Sequence, residues 1–265
     1  MIADLANLFR YRQLIASLTS RDLKARYRGS VLGFFWSLAN PLLLLGVYTL
    51  VFTWFFPRPD MKQFWLFLFT GILPWTFFAG SVLESTGSII GNAGLVKKVL
   101  FPAEALPIVV VLSHLVHFML ALPILLFASV GASLLATESH VGLSVLLTPL
   151  LLLLQLIFVA GIAMAISSSS VLFRDLRDLI ANVMHLWFFL TPIIYALDRI
   201  DSQPMRILLR LNPMTPFVRA YQSLFYYAAA PEPLDLTLMG VYAFGSLIVG
   251  LIVFERLRDT LAEAI

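Results

Sequence analysis

Three observations predict an all-α membrane protein with six transmembrane helices. Hydrophobic residues make up 60% of the chain and charged residues 12%, whereas soluble domains average about 45 to 50% and about 25%. Six stretches of 19 residues or more lack Asp, Glu, Lys and Arg, and a helix needs about 20 apolar residues to cross a bilayer. The lysines and arginines lie between these stretches, where they orient a membrane protein rather than bind nucleic acid.

The uncharged stretches are the predicted spans, at residues 29–57, 63–83, 105–136, 141–173, 179–197 and 236–254. The two longest must tilt, kink or extend beyond the hydrocarbon core. Six spans place both ends of the chain on one side of the membrane. With the ends inside, the inner segments carry twelve lysines and arginines and the outer segments six. This bias predicts that both termini are cytoplasmic.

Residues 1–30 are predicted to form a cytoplasmic amphipathic segment, and residues 31–265 a single transmembrane domain. Apolar residues recur in the first segment at loosely helical spacing, at Ile2, Leu5, Phe9, Leu14 and Leu18. Basic residues follow them, at Arg21, Lys24, Arg26 and Arg28. This pattern is typical of a helix that lies on the inner leaflet. A simple cluster of charges that sets the topology is the alternative interpretation.

Residues 90–107 form a short polar-faced interruption between the second and third predicted spans. Asn92 is predicted to cap a short helix, and Pro102 is predicted to end it at Phe101. Lys97 and Lys98 point away from the apolar side of this helix, which consists of Leu95, Val96, Val99 and Leu100. Such a helix suits an element that lies across the membrane surface and touches something outside the bilayer. A plain cytoplasmic loop is the alternative.

Residues 198–235 differ from the other loops. Structureless loops of this length are uncommon, and this one alternates helical apolar spacing with prolines. The pattern predicts two short helices that dip into the outer face of the membrane and join at Asn212 and Pro213.

The sequence offers little catalytic chemistry. No lysine occurs in the phosphate-loop pattern G-x-x-x-x-G-K-[ST], so the chain is not expected to hydrolyse ATP. The predicted spans hold no charged residue, which argues against a proton- or ion-coupled carrier. His114, His117 and the serines from Ser167 to Ser170 are expected to make hydrogen bonds and close helix contacts, and no metal site is expected. An intramembrane hydrolase or acyltransferase that uses these residues is the alternative.

Aromatic residues are abundant, with 22 Phe, 5 Trp and 8 Tyr, more than two interfacial belts need. Aromatic faces suit the apolar faces of sugar rings. The candidates for lining an inner passage are Trp36, Tyr48, Phe52, Trp75, Phe77, Trp187 and Phe188. A lipid-facing position is the alternative for each of them.

Several motifs, spread in order over nearly the whole chain, carry a resemblance to a known family. The first runs from Arg21 to Pro41 as R-D-L-K-A-R-Y-R-G-S-V-L-G-F-F-W-S-L-A-N-P. Others follow at residues 48–52, 71–75, 92–107, 173–178, 191–195 and 212–221. Together they resemble the permease subunits of ABC exporters for O-antigen, capsular polysaccharide and teichoic acid.

The resemblance implies a homodimer of this six-span subunit and two separate ATPase subunits on the cytoplasmic side, which hold ATP and Mg. It implies a coupling helix in a cleft of the ATPase, formed through Asn92, Leu95, Lys97, Lys98, Phe101, Pro102 and Glu104. A second, smaller contact would involve Arg174 and Asp175. The broken outer segment would form re-entrant gate helices that contain Asn212, Pro213 and Tyr221.

The same resemblance implies location in the bacterial inner membrane and export of an undecaprenyl-linked polysaccharide. This chain itself would bind no cofactor and catalyse no reaction. The glycan would enter from the inner leaflet and pass between the two protomers. An ABC permease for small drugs or lipids, built on the same general fold, is the alternative.

Overall fold

The computed structural model describes residues 10–26, 35–56, 61–97, 101–135, 140–173 and 175–264. All regular secondary structure within these residues is helical, which confirms the predicted fold class. A helix suits a bilayer because it satisfies its backbone N–H and C=O groups within one segment. Residues 1–9 and 27–34, which belong to the predicted amphipathic segment and the first predicted span, lie outside the described residues.

The described residues form ten α-helices, named in chain order. They are α1 (Arg12–Arg26), α2 (Trp36–Leu50), α3 (Phe64–Ser85), α4 (Ala93–Val96), α5 (Ala105–Leu135), α6 (Thr148–Leu172), α7 (Leu176–Leu190), α8 (Gln203–Arg210), α9 (Thr215–Phe225) and α10 (Pro233–Ala264). Five of them are long and apolar enough to cross a membrane: α2 with its π-helical extension to Phe55, α3, α5, α6 and α10. These five correspond to five of the six predicted spans.

The fifth predicted span, residues 179–197, is shorter than expected. Its helix, α7, has 15 residues and is therefore about 22 Å long, less than a hydrocarbon core of about 30 Å. The helix ends at Leu190 because Thr191 is extended, as is usual for a residue that precedes a proline. The length of this span is corrected, and the six-span arrangement stays a prediction.

Helix α3 lies at the centre of the fold. Most of its 22 residues are buried inside the protein, and it packs against α2, α5, α6, α7 and α9. A helix that is apolar on every side has to be surrounded, and the sequence of α3 has that character from Phe64 to Phe78. These five helices therefore surround α3, while α1 packs on α5 and α10 on α6.

Helices α6 and α10 touch through their backbones. A Cβ atom added to Gly161 would overlap the backbone of Ser246 and Leu247, and one added to Gly250 would lie 2.9 Å from the Cα of Gly161. Small residues allow this close approach, which is a common basis of helix association in membranes. The Ser246 hydroxyl also donates to the Phe158 carbonyl at 3.1 Å, so the two helices form a tightly packed pair.

The first helix, α1, packs on α5. Its apolar residues Ile15 and Leu18 are buried against Ala105 and Val109, while basic residues lie on its exposed side. The described part of the predicted amphipathic segment is therefore helical and two-faced, but its apolar face packs against protein. Its position on the inner leaflet stays a prediction.

Candidate functional site

The predicted coupling helix is much shorter than the sequence indicated. Residues 86–104, named here the coupling segment after that prediction, connect α3 to α5. The regular structure of its described residues, 86–97 and 101–104, is a 3-10 turn followed by the single turn of α4. Because the helix ends at Val96, Pro102 does not terminate it and Phe101 lies outside it. Lys98 lies outside the described residues.

The side chain of Asn92 makes no capping hydrogen bond to α4, so the prediction that Asn92 caps this helix is corrected. Its side-chain Nδ2 instead donates to the Ser88 carbonyl at 2.9 Å. Asn92 is itself the last residue of the 3-10 turn, so its amide reaches back to the preceding turn. Lys97 is exposed and Leu95 is half-buried, which leaves the outward side of α4 available to a partner.

Phe101 and Glu104 turn inward rather than outward. Phe101 packs against the cluster that joins α1 to α5 and against a second apolar cluster that includes Ile89 and Val171. Glu104 is 2% exposed, next to the first residue of α5, where a carboxylate is favoured by the helix dipole. Its carboxylate has no hydrogen-bond partner within the described ranges. Glu104 is thus buried and Phe101 half-buried, and the contact of either residue with the ATPase stays a prediction.

The second predicted contact lies beside the first. Ile89 of the coupling segment and Val171 near the end of α6 share one apolar cluster, so the two connections lie at the same end of the helices. Asp175 is exposed at the beginning of α7, while Arg174 lies outside the described residues. A partner that reaches Lys97 therefore finds Asp175 on the same end of the molecule.

Two of the aromatic candidates are buried inside the protomer. Trp75 is 6% exposed and Phe77 is 2% exposed. Trp75 packs edge-on against Trp187 and Phe188, at ring distances of 6.5 and 5.8 Å, and Phe77 stacks on Phe118 at 5.4 Å. Both belong to the central helix, so their rings pack in the core of the protomer, and their position along a passage stays a prediction. Trp36 is exposed, and the half-buried candidates are Tyr48, Phe52, Trp187 and Phe188.

The predicted outer gate contains a hydrogen-bond centre at Asn212. Its Oδ1 accepts from Trp187 Nε1 at 2.7 Å and from the Met214 backbone N–H at 3.0 Å. Its Nδ2 donates to the Leu190 carbonyl at 2.9 Å and to the Thr191 hydroxyl at 3.1 Å. One amide therefore connects the end of α7 to the segment that precedes α9.

The other gate candidates lie next to this centre. Pro213 follows Asn212 in the short connection between α8 and α9. Tyr221 of α9 is fully buried against Phe118, with ring centroids 5.5 Å apart. The predicted pair of short helices is present as α8 and α9, while their re-entrant position in a membrane stays a prediction.

Arg219 belongs to an ion cluster that the sequence did not reveal. Its side chain is 11% exposed and lies 2.8 Å from Glu232 and 3.2 Å from Asp235, which is itself buried. Glu232 also pairs with Arg210 of α8. A buried cation is costly unless it is paired, so this cluster holds α8 and α9 against the beginning of α10. The partners come from separate segments, and no spacing rule brings them together.

The serines and His117 make hydrogen bonds within their own helices, whereas His114 Nε2 lies 2.7 Å from the Glu84 carboxylate of α3. The four hydroxyls from Ser167 to Ser170 donate to carbonyls three or four residues back in α6, at 2.7 to 3.1 Å. His117 Nδ1 lies 2.7 Å from the Ser113 carbonyl. Across the described part of the chain, no three His, Cys, Asp or Glu side chains are grouped so that they hold a metal ion. The geometry therefore provides no nucleophile paired with a base among these residues.

A comparison with protein families places the chain in a transporter group. The family described as "ABC-2 type transporter" matches residues 13–226. This range includes the coupling segment, α7 and both outer helices.

Comparison with individual proteins gives similarities along nearly all of the chain. An O-antigen export system permease protein RfbA from Myxococcus xanthus is 37% identical over 266 residues, covering 100% of both chains. A protein of the same name from Klebsiella pneumoniae is 33% identical over 251 residues, covering 94% of both. The polysialic acid transport protein KpsM from Escherichia coli is 21% identical over 252 residues, covering 93% of this chain and 94% of that protein.

Proposed function

Because the chain belongs to the ABC-2 type transporter family, we propose that it is the permease subunit of an ATP-driven exporter that moves lipid-linked polysaccharide across the bacterial inner membrane. Whole-length similarity to a protein named an O-antigen export system permease supports the substrate class. The five long apolar helices make the chain a multi-pass membrane protein. The proposed cargo is an O-antigen-like glycan on an undecaprenyl carrier.

The observation that carries this proposal is a polar stripe on the exposed side of α7. Asp178, Asn182 and His185 recur at helical spacing and are all exposed. Asn182 Nδ2 donates to the Asp178 carbonyl at 3.0 Å, and His185 Nδ1 lies 2.7 Å from the Ala181 carbonyl, so these recorded bonds stay within α7. Polar side chains that face lipid are unfavourable. A hydrated passage beside α7 explains the stripe better than lipid does.

We infer that a second copy of the chain closes this passage from the opposite side. In such a homodimer, the polar side chains of the two α7 stripes would face the passage, where they can hydrogen-bond to the hydroxyl groups of a glycan. Sugar rings also present apolar faces that suit aromatic side chains, and the half-buried Trp187 and Phe188 lie on the same helix. The channel would therefore be built between protomers, with the outer helices α8 and α9 at its exit.

Energy would come from a separate pair of ATPase subunits, which would hold ATP and Mg. The absence of a phosphate-loop motif in the sequence supports this division of labour. The exposed Lys97 and Asp175 lie at one end of the helices, and the excess of basic residues supports a cytoplasmic position for that end. The ATPases would bind there, with both termini on the same side.

Deletion of the gene tests the proposed function. We expect loss of the surface glycan and accumulation of its lipid-linked precursor inside the cell.

Complementation of the deletion tests the polar stripe of α7. The wild-type chain should restore export, whereas a variant with Asn182→Leu and His185→Leu should reach the membrane but restore at most about a tenth of the export, because the stripe is lost. Val241→Leu, an apolar exchange on the exposed side of α10, is the control. An unchanged glycan after deletion, or a purified complex that responds to hydrophobic drugs and not to the glycan, would contradict the proposal.

Reversal of charge at Lys97 tests the coupling contact. Lys97→Glu should weaken binding of the ATPase about tenfold, because it replaces attraction with repulsion at an exposed interface position. Adding Phe101→Ala should reduce binding further, since Phe101 supports the coupling segment from beneath. Co-purification of the ATPase with the membrane-inserted chain measures both effects. Arg256→Glu, an exposed reversal on α10, is the matched control. Equal ATPase recovery with all variants would show that this segment is not the contact.

A further inference from the structure

An ion cluster connects α1, α3 and α5, and we name it the Glu84 bridge after its central residue. Arg26 donates through Nη2 to Glu84 Oε1 at 2.5 Å and through Nε to Asp22 Oδ2 at 3.1 Å. The second carboxylate oxygen of Glu84 lies 2.7 Å from His114 Nε2. One carboxylate therefore joins three helices, with partners 58 and 30 residues away in the sequence.

The surface of α3 is shaped for this contact. A Cβ atom added to Gly80, one turn before Glu84, would lie 2.8 Å from Cε1 and 3.0 Å from Nδ1 of His114. Any side chain at this position would push the imidazole away. Gly80 thus provides the space through which His114 reaches Glu84.

The bridge is partly buried, and its guanidinium lies between two carboxylates. The side-chain exposures are 26% for Arg26, 41% for Glu84 and 19% for His114. Burial acts to lower the pKa of Arg26, but the hydrogen bond and charge of Glu84, together with Asp22, outweigh it and raise that pKa above its ordinary value. A charged guanidinium that lies between two carboxylates forms strong hydrogen bonds with a defined geometry.

The cavity beside the bridge does not provide a better explanation for these residues. It has a volume of about 330 Å³ and is lined on its polar side by Arg26, Asn40, Thr76, His114 and His117. Because Arg26 is already paired with two carboxylates, its charge is not available to an anionic ligand in the cavity. The bridge is therefore interpreted through the helices that it joins.

The position of the bridge relates it to the coupling segment. Glu84 is the penultimate residue of α3, directly before that segment, and His114 lies in α5, directly after it. Arg26 is the last residue of α1. The earlier part of α1 is held separately, through Ile15 and Leu18 on α5. Loss of the bridge would therefore loosen the end of α1 without releasing the whole helix.

We propose that Glu84 is a positioning residue, which makes α1, the end of α3 and the beginning of α5 move as one unit when the ATPase displaces the coupling segment. This inference rests on the proposed function, because it requires a partner that moves that segment. A merely structural role would change abundance and thermal stability together. A positioning role changes the glycan exported for each ATP hydrolysed while the complex stays intact.

A double-mutant cycle in the complex with its ATPase separates these roles. Glu84→Gln and Arg26→Gln should each lower export per ATP about five- to tenfold, with complex yield and ATP hydrolysis unchanged. The double variant should be no worse than the worse single variant, because the bridge acts as one unit. Arg26→Lys should retain most of the coupling, and Arg21→Gln, an exposed neighbour on α1, should equal the wild type. The proposal would be overturned if the losses of export per ATP in the two single variants multiplied in the double variant. It would also be overturned if the loss of export followed the yield of the complex.

A distance measurement tests the same proposal without a substrate. The chain has no cysteine, so spin labels at Lys24→Cys and Gly87→Cys, both exposed positions, report the separation of α1 from the coupling segment in the complex. With labelled chains diluted into unlabelled ones, so that only pairs within one protomer contribute, we expect a narrow distribution that ATP leaves unchanged, and a broad, ATP-dependent distribution in Glu84→Gln. An equally narrow, ATP-independent distribution in Glu84→Gln would refute the proposal, even if glycan export is confirmed. If the cargo is different, the distance result still decides whether the helices move together.

Discussion

Gly161→Val should abolish accumulation of the folded protein, because the α6–α10 contact leaves no space for a side chain. The added atoms would meet the backbone of Ser246 and Leu247, and a backbone cannot swing aside as a flexible side chain does. Separating the helices would also remove the hydrogen bond from Ser246 to Phe158. We expect a loss of about 3 kcal/mol or more. The measurement is the thermal stability and monodispersity of the detergent-solubilised protein.

Gly245→Ala provides the matched control, since it lies on α10 and a Cβ there meets nothing within 4 Å. It should be neutral or stabilising by up to about 1 kcal/mol, because alanine favours a helix over glycine. Gly250→Ala should resemble the Gly161 variant, because its Cβ would approach the Gly161 backbone. Normal stability of Gly161→Val would mean that α6 and α10 do not cross at these glycines.

Asn212→Leu should destabilise the outer segment by removing its hydrogen-bond centre. Leucine fills a similar volume but leaves the Trp187 indole N–H without its acceptor and the Leu190 carbonyl without its side-chain donor. A buried polar group that loses its partner costs about 1 to 3 kcal/mol, and because these groups are half-buried or exposed we expect a total near 2 kcal/mol. Thermal stability and the protease sensitivity of the connection between α7 and α9 measure the effect.

Asn212→Asp serves as a graded control. Aspartate keeps an oxygen acceptor for Trp187 and for the Met214 N–H, but it cannot donate to Leu190 or Thr191. Its loss of stability should therefore lie between those of the wild type and Asn212→Leu. If both variants equal the wild type, the hydrogen-bond centre does not hold the end of α7.

The long spans were predictable because charge is excluded from a bilayer core. Helix α3 begins and ends within two residues of its predicted stretch, 63–83, and α5 does so for 105–136. The stretch 179–197 failed as a length prediction, since the absence of charge does not reveal that Thr191 leaves the helix before Pro192. Composition therefore located the spans, whereas local backbone geometry decided where the shortest one stopped.

The candidate site was less predictable, because it depends on how each helix is rotated about its axis and on contacts between residues that are far apart in the sequence. Trp75 and Phe77 were chosen as aromatic residues of a span, but the rotation of α3 directs both into the core. Glu104 looked like a surface charge by sequence, yet it is buried at the beginning of α5. No sequence pattern marks Glu84, because its partners Arg26 and His114 lie on two other helices. No periodic pattern in a single helix reports such contacts.

The glycine contact between α6 and α10 has a mechanical consequence. Sliding or rolling of either helix would drive a side chain into the opposite main chain, so this part of each subunit behaves as a rigid frame. By contrast, Met184 is the buried residue of α7, and an apolar groove of about 480 Å³ separates α7 from α8. Changes of shape during the proposed transport cycle would accordingly spare the α6–α10 pair and involve the other helices, among them α7 and the unit that the Glu84 bridge joins.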